Sequence, residues 1–143
     1  MRLAMRLALL CLFVPLVASA QYKDLDVALQ NLSRGFGSGD AQAIVAGIGD
    51  GDKVLLEFPG LVEESGFFGR DQAAYLLDGL FNKVNPTGFD QESAKGQSSQ
   101  KQYHISGTWM VEVGKKAERR DLYITLQNKN DRWSLASVRA ASK

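Results

Sequence analysis

Residues 103–113 read Tyr-His-Ile-Ser-Gly-Thr-Trp-Met-Val-Glu-Val. Tyr103, Ile105, Gly107, Trp109, Val111 and Val113 fall on one side of an alternating pattern, and His104, Ser106, Thr108, Met110 and Glu112 on the other. A period of two over this length specifies a β-strand with one face against a core and the other toward solvent. The period continues downstream. Leu122, Ile124 and Leu126 alternate with Tyr123, Thr125 and Gln127. Asn128 to Asp131 is a turn, and Trp133 to Val138 a last strand. Consecutive strands with short turns imply an antiparallel sheet with one buried face. Upstream, the polar segment Phe89 to Ser99 reads as an edge strand.

A one-sided sheet needs cover, and the preceding sequence supplies it as helices. Leu25, Leu29, Leu32 and Phe36, with Ala28, form the apolar stripe of a helix over residues 24–37. Gly37-Ser38-Gly39 ends it, and Asp40 caps a short helix carrying Ala41, Ile44, Val45 and Ile48. Lys53 to Phe58 and Val62 to Phe68 fit a hairpin around the Pro59-Gly60 turn. A third helix over residues 70–84 buries Ala73, Ala74, Leu77, Leu80, Phe81 and Val84. Asn85-Pro86 stops it, because proline disfavours a helical residue before it. The fold class is α+β, with N-terminal helices on a curved antiparallel sheet.

The first 20 residues read as an export signal. Arg2 and Arg6 give a basic start, Leu7 through Val17 an apolar stretch, and Ala18-Ser19-Ala20 a small-x-small cleavage site. The apolar run is shorter than the ~20 residues of a spanning helix. The expectation is cleavage before Gln21, a single domain over 21–143, no stable membrane insertion afterwards, and a periplasmic or extracellular location. The repeated Met-Arg-Leu-Ala leaves Met5 as a second possible start. Cys11 follows Leu10, where a lipoprotein signal wants a small residue. Of the 143 residues, 45% are hydrophobic and 23% charged, which excludes a disordered or low-complexity chain. The formal net charge of +1 argues against a nucleic-acid partner. Removing the leader takes two arginines and the only cysteine, leaving 15 basic against 16 acidic side chains. A mature chain without cysteine has no disulfide framework and fits a bacterial exported protein.

The order of elements resembles the nuclear transport factor 2-like superfamily, a cone-shaped α+β fold. Ser38-Gly39-Asp40-Ala41 looks like its link between the first two helices. Gly69-Arg70-Asp71-Gln72-Ala73 looks like its entry to the third helix, and Asp131-Arg132-Trp133 like its final hairpin. The chain is similar, more closely, to a family of small secreted bacterial proteins of unknown function. In that family a polar stretch such as Gly96-Gln97-Ser98-Ser99 precedes a tyrosine-bearing strand, here that of Tyr103. The resemblance implies either a binding or interaction module or, in the manner of ketosteroid isomerase and scytalone dehydratase, a lyase or isomerase working inside the cone.

The residues favour the first. No family catalytic motif transfers, and no catalytic residue is assigned. His104, the single histidine, lies on the polar strand face beside Ser106 without a carboxylate to orient it. Asp50-Gly51-Asp52 lacks an oxygen ligand at Val54, so no calcium loop, metal or cofactor is expected. Gly35-x-Gly37-x-Gly39 follows a helix rather than a strand and is no dinucleotide fingerprint. Lys115-Lys116 with Arg119-Arg120 reads as a solvated turn, and Glu63-Glu64 as solvent-facing. Asn31-Leu32-Ser33 is a sequon inside a helical pattern. Phe58, Phe81, Tyr103 and Trp109 are the candidates to line a pocket for a small apolar ligand, if the cone is incompletely filled. Trp109 is expected to pack over Gly107, near Leu77 and Phe81 of the third helix. The polar strand face, with Met110, Tyr123 and Thr125, offers a surface for a homodimer.

Overall fold

A computed structural model describes Tyr22, residues 24–92 and residues 101–141. The expected leader, with its cleavage site, and the Gly96–Ser99 stretch lie outside the described residues. Helix α1 spans Leu25–Ser38, α2 Ala41–Val45 and α3 Arg70–Lys83. The strands are β1 (Val54–Glu57), β2 (Gly66–Phe68), β3 (Asn85–Gln91), β4 (Gln102–Val113), β5 (Lys116–Lys129) and β6 (Arg132–Ala140).

Local chemistry sets the helix ends. The Val27 backbone N–H donates to the Asp24 carboxylate at 2.8 Å, satisfying one of the orphan donors at the start of α1. Gly39 closes α1 with φ 75°, a conformation glycine adopts without steric cost. Asp40 then caps α2 through the Ala43 N–H. The Val84 N–H still donates to Leu80, and the chain turns extended at Val84, ahead of Pro86. Asn130 and Asp131, with φ 55° and 61°, form the tight β5–β6 turn.

The six strands form one sheet in the order β2-β1-β6-β5-β4-β3. The sequence expectation of an antiparallel sheet needs one correction: β1 runs parallel to β6, pairing Leu55 with Ser137 and Leu56 with Val138. Hairpin signals mark strands adjacent in sequence, whereas this join brings together the first and last strands. The second strand is shorter than expected, starting at Gly66 rather than Val62. β3 is an edge strand and begins directly at Asn85.

The β4 faces fall as the period of two requires. Ile105, Gly107, Trp109 and Val111 are buried, and His104 and Glu112 are exposed. Trp109 is fully buried among Phe36, Phe58 and Phe81, with ring centroids 5.8, 6.1 and 6.3 Å away. Its indole N–H donates to the Phe36 carbonyl at 2.8 Å. The indole does not lie over Gly107. Phe89 of β3 occupies that space, and a Cβ on Gly107 would come within 2.6 Å of the Phe89 ring and the Asp90 carbonyl. At the other end of the core, Tyr22 bridges to Trp133 through two backbone hydrogen bonds of 2.9 and 3.1 Å. The Tyr22 hydroxyl lies 3.0 Å from both the Ala43 and Ile44 carbonyls, and the ring covers Gly47.

Candidate functional site

A cleft of about 720 Å³ opens between α3 and the β1–β2 connection. Beyond Asp71 at the start of α3, its helical wall consists of Gln72, Tyr75, Leu76, Gly79, Leu80 and Lys83. Their spacings of three and four put them on one flank of α3. Leu61, Val62 and Phe68 form the opposite wall.

The connection is anchored from both sides. The Leu61 and Val62 N–H groups both donate to the Phe58 carbonyl at 3.0 Å, turning the chain at Gly60, which has φ 76°. Lys83 Nζ donates to the Leu61 carbonyl at 3.0 Å, and Arg120 Nη1 to the Pro59 carbonyl at 2.9 Å. Leu61 is buried, whereas Tyr75, on the facing helix, is 85% exposed. Gly79 has nothing within 4 Å of where a Cβ would stand, so the cleft stays open at mid-helix. A glycine there costs about 1 kcal/mol of helix stability relative to alanine.

Phe58, Phe81 and Trp109 sit together as core and do not line this cleft. Phe36 from α1 packs edge-on to Phe81 and Trp109 and fills the space between them. Tyr103 is separated from the other three and packs edge-on to Trp133, 6.2 Å between centroids. The cleft residues carried no motif. The spacing of Gln72, Tyr75, Gly79 and Lys83 was visible, but only the folded connection gives that flank an opposite wall.

The basic cluster divides. Lys115, Lys116 and Arg119 are exposed at the β4–β5 hairpin, but the Arg120 side chain is only 8% exposed. It lies 3.7 Å from the Glu118 carboxylate, itself 14% exposed, and its Nε is buried without a hydrogen-bond partner. Counting back in twos from Leu122 places both residues on the inward face, a signal overridden by reading the cluster as a turn.

His104 is exposed on the polar face of β4, where its Nδ1 pairs with the Thr125 hydroxyl at 3.1 Å. An opening of about 480 Å³ there is lined by Glu92, His104, Ser106 and Tyr123 among others. Asp50 and Asp52 turn to different cations, Arg70 at 2.8 Å and Lys129 at 3.6 Å. Among the described residues no three side chains group to hold a metal ion, and no helix is long and apolar enough to cross a membrane. Burial pushes the Tyr22 phenol well above its ordinary value, and the Arg34 charge opposes this in part.

Three helices packed on a six-stranded mixed sheet, with these connections, define the nuclear transport factor 2-like α+β fold. The chain is similar to a DUF4783 family protein from Bacteroides ovatus (TM-score 0.63, 17% identity, 79% of this chain and 94% of that one). It is also similar to a hypothetical protein with a ketosteroid isomerase-like fold from Catenulispora acidiphila, solved with trimethylamine (TM-score 0.62, 8% identity, 81% and 85% covered). A third similar structure is an LEH-like epoxide hydrolase of M. tuberculosis (TM-score 0.58, 13% identity, 79% and 77% covered). These likenesses concern the fold. No family model and no curated protein matches the chain.

Proposed function

We propose that the protein is a non-catalytic binding module, exported to the periplasm or cell exterior, that holds a small apolar molecule in the α3 cleft. The observation that carries this reading is the cleft itself: a largely apolar opening of small-molecule size, kept clear by Gly79. The rings packed around Trp109 support placing the ligand there rather than inside the cone. A lyase or isomerase is the second reading, and the inward Glu118–Arg120 pair is what favours it. A homodimer through the polar strand face is proposed alongside, on the half-exposed Tyr123 that it carries.

Native mass spectrometry of protein purified from its source tests these points together. The expected spectrum shows a chain starting at Gln21 with one small molecule retained, and a dimer that Tyr123→Glu dissociates. Gly79→Leu, which projects a side chain into the cleft, is expected to lose the retained mass. The binding reading fails if no mass is retained and the purified protein does not bind the neutral dye Nile red.

A further inference from the structure

We infer that the α3 cleft selects an organic cation: an ammonium group carried on an apolar body. The inference rests on the cleft being a binding site and adds the charge of its ligand.

Three carboxylates stand on the rim, Glu63 and Glu64 on the connection and Asp71 at the start of α3. All three are exposed, and none is ion-paired among the described residues. The first turn of a helix favours a negative charge, which accounts for Asp71 structurally. Glu63 and Glu64 lie in no helix; they stand between β1 and β2, exposed, and line the cleft. The cation lining the cleft, Lys83, has its ammonium directed to the Leu61 carbonyl, where it anchors the connection. The cleft therefore presents more unmatched negative than positive charge.

The aromatic side chains fit the same ligand. Phe68 and Tyr75 line the cleft, and Tyr75 stands 85% exposed on an otherwise ordinary helix flank. An exposed aromatic ring beside carboxylates attracts a cation through its electron-rich face, and more strongly once water is excluded. Leu61, Val62, Leu76 and Leu80 supply the apolar surface for the remainder of the molecule. A ligand carrying an anion would instead meet three like charges.

The test compares three probes with the same decyl chain: decyltrimethylammonium, decanol and decyl sulfate. Each displaces Nile red from the mature protein at low salt and below its micelle concentration. Decyltrimethylammonium is expected to bind about tenfold more tightly than decanol, with decyl sulfate the weakest. Added salt should narrow the differences. The triple variant Glu63→Gln, Glu64→Gln, Asp71→Asn should bind Nile red as before and lose the preference. These positions are exposed, so a single cooperative thermal melt will confirm that the variant is folded. Gly79→Leu should abolish binding of all three probes.

Equal affinity for the three probes overturns the charge inference and leaves the cleft as an apolar site. A preference that survives the triple variant, or cation binding that survives Gly79→Leu, also overturns it. Failure of Nile red and every probe to bind the wild type removes the cleft reading together with the inference.

Discussion

Trp109→Ala should remove more stability than any other single truncation in this core, because it acts in two ways. The indole is fully buried and touches rings from α1, α3 and the end of β1, so its loss leaves a cavity costing about 3–5 kcal/mol. It also donates to the Phe36 carbonyl, which lies in the last turn of α1 and has no intrahelical partner. Leaving that carbonyl buried and unpaired adds about 1–3 kcal/mol. The total, about 4–8 kcal/mol, is comparable with the whole stability of a typical domain, about 5–15 kcal/mol. Trp109→Phe separates the two effects. It keeps most of the ring packing and loses the hydrogen bond, so about 1–3 kcal/mol is expected. Urea unfolding followed by circular dichroism measures both, with Trp133 fluorescence as a second probe. A loss below about 1 kcal/mol for Trp109→Ala would refute the reasoning, since no buried tryptophan at the junction of two helices and a sheet can be so dispensable.

Gly79→Ala should stabilise the protein by about 1 kcal/mol, since the helix gains alanine's propensity and the new methyl meets only open space. A melting temperature unchanged or lowered would show that the glycine has a structural role. Gly107→Ala should destabilise by about 1–3 kcal/mol through collision with the Phe89 ring and the Asp90 carbonyl. A neutral melt there would mean that β3 shifts freely away from β4. For Tyr22, the folded-state pKa lies above the unfolded value of 10.0, so its contribution is intact below pH 10. Above that the unfolded chain ionises first, and stability falls by up to about 1.4 kcal/mol per pH unit. Tyr22→Phe should cost about 1 kcal/mol at neutral pH and flatten that decline. Identical slopes for the two proteins between pH 10 and 11 would contradict the burial argument.

Periodicity and capping carried most of the fold. The alternation through Trp109 and the stripe from Leu25 to Phe36 each placed an element and chose its buried face, because each is a local consequence of backbone geometry. The parallel join of β1 to β6 was not legible: the pairing depends on which edge stays free after the later hairpins form. Gly107 shows the same division. Its lack of a side chain announced a close neighbour, but the neighbour came from β3 rather than from its own strand. The cleft was hardest to read. Its residues look like the solvent face of α3 until the connection after Phe58 is pinned by Lys83 and Arg120, and those bonds obey no period. Arg120 could have been placed inward from Leu122, had its charge not suggested the surface.

The bridge between Tyr22 and Trp133 also bears on the order in which the protein can assemble. Tyr22 lies at the start of the described chain, while its partners are β6, near the end, and the segment after α1. A chain made from its N-terminus presents Tyr22 to solvent long before β6 follows. Contacts of such long sequence separation form late, after the loops between them have closed. Tyr22 therefore acts as a closing latch rather than part of the nucleus. Its removal should quicken unfolding and leave the folding rate nearly unchanged, so the lifetime of the folded protein depends on a residue that contributes little to reaching the native state.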